Sequence, residues 1–194
     1  MTARIRLATP DDAGAIAAIY RPIVLETPIS FETEPPAADV MQGRIEKTLP
    51  QYPWLVYDID DAVAGYVYGS RHRARAAYQW AVEVTVYVDV RYRGRGVGRR
   101  LYAVLLALLR AQGYYTAFGG ITLPNAASVK LHETLGFKHI GTFPDIGYKS
   151  GAWHDVGWWA LRLQELPAAP SDPLLLTDID CDTVIQDVLT TTGR

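Results

Sequence analysis

Cysteine is almost missing from these 194 residues. Cys181 stands alone, which excludes an internal disulfide framework and a metal site built on cysteines. Long apolar runs are missing as well: none approaches the roughly 20 residues that span a bilayer. Met1-Thr2-Ala3-Arg4 leads into a short strand pattern without a signal-type apolar core, so the chain reads as cytoplasmic with no membrane partner. Neither sign of charge dominates, with 19 Lys and Arg against 21 Asp and Glu. The arginines gather near two loops rather than along one face, which disfavours nucleic acid as a partner. What the chain does have is apolar bulk, 49% of its residues, enough for one good core.

The order of patterns predicts one α/β domain. A strand is expected at 5–8, and Thr9-Pro10-Asp11-Asp12 then supplies an N-cap, a first-turn proline and first-turn acids for a helix. That helix carries Ile16, Ile19, Tyr20 and Ile23 on one side, and Pro22 should kink or break it. A loop from Thr27 to Phe31 precedes a helix at about 36–49 that uses Val40, Ile45 and Leu49. A hairpin of 54–58 and 63–69 follows, turning at Asp60-Asp61. Val82, Val84, Val86 and Val88 alternate with Glu83, Thr85 and Tyr87, a strand with a valine face and a mixed polar face that carries Glu83. Val97, Leu101, Val104, Leu105, Leu108 and Leu109 mark a long amphipathic helix ending at Gly113. Strands at 115–122, 137–142 and 153–163 then flank a helix at 125–135 closed by Gly136. Pro167, Pro170 and Pro173 break regular structure, so 1–166 reads as the domain and 167–194 as an irregular tail with an apolar patch at Leu174-Leu175-Leu176.

Between the valine strand and the long helix lies Tyr92-Arg93-Gly94-Arg95-Gly96-Val97-Gly98-Arg99-Arg100. Glycines let backbone approach an anion, amides at a helix start point at that anion with the positive dipole end behind them, and arginines add charge. The run is a candidate phosphate cradle. A mononucleotide P-loop needs Lys-Ser or Lys-Thr after the last glycine, where Arg99-Arg100 stand. A dinucleotide fingerprint needs a further glycine and an opening β-α-β unit, and neither is present.

Arg93-x-x-Gly96-x-Gly98 resembles the pyrophosphate loop of the Gcn5-related N-acetyltransferases, the GNAT superfamily. A second run, Asn125-Ala126-Ala127-Ser128-Val129-Lys130-Leu131-His132-Glu133-Thr134-Leu135-Gly136-Phe137, is similar to the second signature of that superfamily at the expected distance. In bare physical terms it is a helix with Asn125 as N-cap and a seam of Ala127, Leu131 and Leu135. A narrower match covers most of residues 4–163. Ser30-Phe31-Glu32-Thr33-Glu34-Pro35, Arg73-Ala74-Arg75-Ala76-Ala77-Tyr78-Gln79-Trp80, Glu83-Val84-Thr85-Val86-Tyr87-Val88 and Trp153-His154-Asp155-Val156-Gly157 resemble the phosphinothricin and methionine-sulfone acetyltransferases.

The resemblance implies the GNAT fold: a mixed, mostly antiparallel sheet of about seven strands with helices on both faces, whose splayed central strands hold acetyl-CoA, with no metal. It implies that Arg93, Gly94, Arg95, Gly96, Val97 and Gly98 grip the diphosphate, while Val86, Tyr87, Val88, Asn125 and Ser128 line the pantetheine arm. An amide near Val86 would stabilise the oxyanion. Glu83 would take a proton from the substrate amine, directly or through a water. His132, at a position often tyrosine in relatives, would carry a proton or protonate the departing thiolate; His154 ranks lower. The forked donors of Arg73 and Arg75 suit a carboxylate and a tetrahedral oxyanion, with Tyr78 at the cleft rim and Phe31 as a wall. The implied partners are a small amino acid and a second copy of the chain. Ala76 departs from the pattern, since close relatives often carry asparagine there. Two other accounts stay open: a GNAT enzyme for polyamines, aminoglycosides or protein N-termini, whose cationic substrates prefer an acid-lined site, and a non-catalytic coenzyme-A sensor.

Overall fold

The computed structural model describes residues 2–192. Seven strands form one sheet in the order β1-β2-β3-β4-β5-β7-β6, with β1 at Ala3–Leu7, β2 at Trp54–Ile59, β3 at Ala62–Arg71, β4 at Ala81–Val88, β5 at Thr116–Thr122, β6 at Lys138–Lys149 and β7 at Ala152–Arg162. Neighbours are antiparallel except β4 and β5. A parallel pair needs a crossover, which α3 (Val97–Ala111) supplies. The stripe on α3 is buried as its spacing predicts, against Val82 and Val84 of β4 and Leu55 and Val67 of β2 and β3. Truncating one such leucine to alanine would cost about 2–5 kcal/mol. On the opposite face α1 (Ala13–Glu26) and α2 (Ala38–Thr48) build a second cluster with Trp54, Val56 and Tyr66. Strand alternation explains the split: Leu55 and Tyr57 go to one cluster, Trp54 and Val56 to the other.

Several elements differ from the sequence expectation. Pro22 sits inside α1, yet the helix runs unbroken from Ala13 to Glu26. Proline removes one intrahelical bond, and the buried residues on both sides of it, Ile19, Tyr20, Ile23 and Val24, pack into one cluster that holds the two halves in line. On α2 the buried residues are Met41 and Ile45, and Val40 faces solvent. β6 runs past Thr142 to Lys149. Pro144, which cannot donate to a ladder, falls where the β6–β7 pairing slips between Phe143 and Gly147, a place a sheet tolerates proline.

The tail is irregular only in its first part. α5 (Cys181–Thr192) begins after Asp180, whose carboxylate accepts the Thr183 N–H (3.1 Å), and it buries Ile185 in the main core with Val184, Val188 and Leu189 packed around it. The preceding strap is tied down by Trp80 Nε1–H to the Ser171 carbonyl (2.7 Å) and by Gln112 and Leu174, which exchange hydrogen bonds of 2.8 and 3.0 Å. The segment from Ser171 to Leu189 thus docks on the domain.

Candidate active site

β4 pairs with β3 from Val82 to Val88, but with β5 only from Ala81 to Glu83, opposite Thr116 to Phe118. Beyond Glu83 the two central strands part. Asp89 N–H donates to the Ala64 carbonyl (3.0 Å), so by alternation the amides of Glu83, Thr85 and Tyr87 face β3 and those of Val84 and Val86 face β5, Val84 at the last paired rung and Val86 in the gap. On β5 the bond from Leu123 N–H to the Asp155 carbonyl (2.9 Å) fixes the opposite parity, turning the amides of Gly120 and Thr122 toward the same gap. A cavity of ≈ 60 Å³ lies there, lined also by Tyr102, Asn125, Ser128 and His132.

The glycine-rich loop opens onto this gap. Gly94 and Gly96 have φ of +73° and +78°, and no atom lies within 4 Å of where their Cβ would stand. The left-handed backbone, not crowding, requires glycine at both. At Gly98 a Cβ would come 3.2 Å from Leu131, so the glycine lets α3 approach α4 (Ala126–Thr134). The ladder of α3 starts with Arg100 N–H to the Gly96 carbonyl (3.1 Å), which leaves the amides of Val97, Gly98 and Arg99 ahead of it at the positive helix end. A cleft of ≈ 360 Å³ runs from here along β4, lined by Val86, Tyr87, Val88, Arg93, Gly94, Gly96, Val97, Gly98, Asn125 and Ser128. Of the residues predicted to bind the coenzyme, Arg95 stands apart: its guanidinium lies over the Tyr92 ring (5.7 Å). Asn125 Oδ1 caps α4 by accepting the Ser128 N–H (3.1 Å), which leaves its NH₂ for a ligand. Orphan amides and arginine at one end, an apolar wall and an amide donor along the rest: this donor set fits a diphosphate followed by a pantetheine arm.

Glu83 is partly exposed, and its Oε1 lies 2.9 Å from His72 Nδ1. His72, which the sequence reading did not single out, stacks on Phe118 at 4.5 Å. Tyr78, on the turn after it, meets the His72 ring edge-on at 6.1 Å. Arg73 lines a cavity of ≈ 160 Å³ together with His72, Phe118, Phe143 and Trp158. The Arg71 guanidinium donates to the carbonyls of Arg73 and Ala74 and holds this turn. Arg75 is exposed, and its side chain has no partner among the described residues. Phe31 lies on Gly147 of β6, where a Cβ would overlap its ring. Its loop is pinned by Lys149 Nζ to the Ser30 carbonyl (2.5 Å) and by Glu32 to Arg44 (2.7 Å). Hydrogen bonding to Arg44 holds the Glu32 carboxyl below its usual range.

His132 is placed differently from a proton carrier in solution. It is buried, its Nδ1–H donates to the Ser128 carbonyl (2.8 Å), and its Nε2 lies 3.0 Å from the Tyr102 hydroxyl. Since a carbonyl can only accept, Nδ1 carries the proton and Tyr102 donates to Nε2. Burial lowers the pKa of the ring, only partly offset by the Ser128 bond. A neutral imidazole with both nitrogens engaged is poorly suited to give a proton to a thiolate.

A family model for the acetyltransferase (GNAT) domain matches residues 5–158. The phosphinothricin N-acetyltransferase of Streptomyces viridochromogenes is 42% identical over 175 residues, 90% of this chain and 95% of that protein. The L-methionine sulfoximine/L-methionine sulfone acetyltransferase of Salmonella typhimurium is 35% identical, covering 86% of this chain and 97% of its own. Among solved structures, a GNAT superfamily phosphinothricin acetyltransferase from Sinorhizobium meliloti in complex with acetyl-CoA superposes with a TM-score of 0.83 at 34% identity, covering 88% of this chain and 94% of that one.

Proposed function

The chain belongs to the GNAT acetyltransferase family, and from that premise we propose that it moves acetyl from acetyl-CoA to the α-amino group of a small amino acid such as phosphinothricin, methionine sulfone or methionine sulfoximine. The observation that supports this reading is the parting of β4 from β5 just beyond Glu83, where a small cavity adjoins the glycine-loop cleft through Val86, Tyr87, Asn125 and Ser128. Acetyl-CoA supplies an activated acetyl thioester. The amides of Val97, Gly98 and Arg99 with Arg93 hold the diphosphate, Asn125 and Ser128 bond the pantetheine arm, and Val86 N–H, which faces the gap, serves the carbonyl oxygen. An α-ammonium has no free electron pair, so it must lose a proton before it reacts; Glu83 drives that loss, directly or through a water. Arg73 takes the substrate carboxylate or tetrahedral oxyanion, with Arg75 and Tyr78 at the rim and Phe31 as a wall. His132 holds the Tyr102 hydroxyl at the gap.

Thiol release from acetyl-CoA tests this, with phosphinothricin, methionine sulfone, methionine sulfoximine, common amino acids, spermidine and an aminoglycoside as acceptors. Turnover is expected on amino acids and not on the polycations, which the exposed arginines disfavour. Glu83→Gln should lower turnover by about 10²–10⁴-fold while coenzyme binding persists. No release with any acceptor would favour the sensor account, and an equally active variant would remove Glu83 from the mechanism.

We further infer that two copies pair through the β6–β7 hairpin. Ile140, Phe143, Ile146, Tyr148 and Trp153 there are 46–62% exposed, an apolar surface of the kind that marks an interaction site. Light scattering should read twice the chain mass; a single-chain mass at micromolar concentration would refute the pairing.

A further inference from the structure

β3 and β4 pair with Ser70 opposite Glu83. His72, two residues on, is therefore a diagonal neighbour of Glu83 on the same sheet face. Its Nδ1 sits 2.9 Å from Glu83 Oε1. A carboxylate only accepts, so Nδ1 carries hydrogen, and Nε2 holds a lone pair whenever the ring is neutral. That nitrogen has no hydrogen-bond partner among the described residues. The ring is fixed from three sides: stacked on Phe118 with 15° between planes, and met edge-on at 6.1 Å by Tyr78 and by Trp158. It lines the ≈ 160 Å³ cavity that Arg73 also lines. The charged or titratable groups around it are Glu83 from β4, Arg73 beside it and Tyr78 from the following turn; β5 and β7 present only Phe118 and Trp158. A ring needed only for packing would require neither the carboxylate on one nitrogen nor a vacant lone pair on the other, next to an arginine suited to anions.

Resting on the N-acetyltransferase reading, we propose that His72 is the group that takes the ammonium proton, with Glu83 fixing its tautomer and orientation, so that the carboxylate acts through an imidazole rather than through water. One N–H bond of the α-ammonium breaks, its electron pair stays on nitrogen, and the proton bonds to Nε2. Nδ1–H stays on Glu83, whose negative charge offsets the imidazolium, and the proton then leaves to solvent. An imidazole suits this exchange near neutral pH better than a lone carboxylate does. The carboxylate–imidazole couple is the arrangement that orients a general base for proton abstraction.

Two variants test the assignment in the thiol-release assay. His72→Asn keeps an N–H donor for Glu83 without the ring base, and His72→Ala opens space for an added ring. Both are expected to bind acetyl-CoA with the wild-type Kd and to lose about 10²-fold or more in kcat. Imidazole added to His72→Ala should restore turnover in proportion to its free-base concentration. Full activity in His72→Asn, or no response of folded His72→Ala to imidazole, would overturn the proposal while leaving the acetyltransferase reading intact. A wild-type protein that releases no thiol with any acceptor would overturn both.

Discussion

Burial keeps His132 neutral in the folded protein, and that has a measurable consequence. Its pKa is lowered from 6.5, chiefly by desolvation, so below that pH the unfolded chain binds a proton that the folded one refuses. The contribution of this side chain to stability is complete above 6.5 and is lost progressively as the pH falls below it. In His132→Gln the fall of Tm with acidification should be shallower than in the wild type; parallel slopes would contradict this. Position in a motif pointed to His132 as a proton carrier, but one of the two hydrogen bonds that engage its ring comes from Tyr102, 30 residues earlier. Glu83, Asn125 and the loop glycines were legible because alternation, capping and left-handed backbone are local properties. The link from His72 to Glu83 was not, since residues 72–80 have no period that would show which face His72 shares.

At the scale of elements, β4, the glycine loop and α3 form one functional unit. The strand delivers Glu83 and the free amide of Val86, the loop turns through two left-handed glycines, and the helix presents its first amides. A β-branched residue at the φ of Gly96 would be strained by about 1–2 kcal/mol or more, and the loop would relax away from the anion. Gly96→Val should raise the coenzyme Kd at least about tenfold by calorimetry, with the fold retained; an unchanged Kd would discredit the loop. The elements read best from sequence were those with a clean period, β4 and α3. β6 is longer than its sequence pattern predicts because its pairing with β7 resumes at Gly147, past the slip that holds Pro144. The helix α5 was overlooked because prolines dominate the preceding stretch, although Val184, Ile185, Val188 and Leu189 recur at helical spacing.

Taken whole, the molecule is a twisted sheet with a core on each face and a seam in its middle that neither core fills. The cores explain why the seam can persist. β3 and the α1–α2 layer support β4, while β7 pairs with β5 along its full length from Thr116 to Thr122, so each half of the sheet is held from its outer side. The docked strap holds the C-terminal end of α3, and α5 packs its apolar residues into the same core. The central claim is that this seam receives the acyl end of a coenzyme whose diphosphate rests on the start of α3. A crystal structure with acetyl-CoA tests it most directly. The diphosphate should lie on the amides of Val97, Gly98 and Arg99, with the thioester between Val86 and Gly120 on the two parted strands. An empty glycine loop, or a thioester outside the seam, would contradict the account.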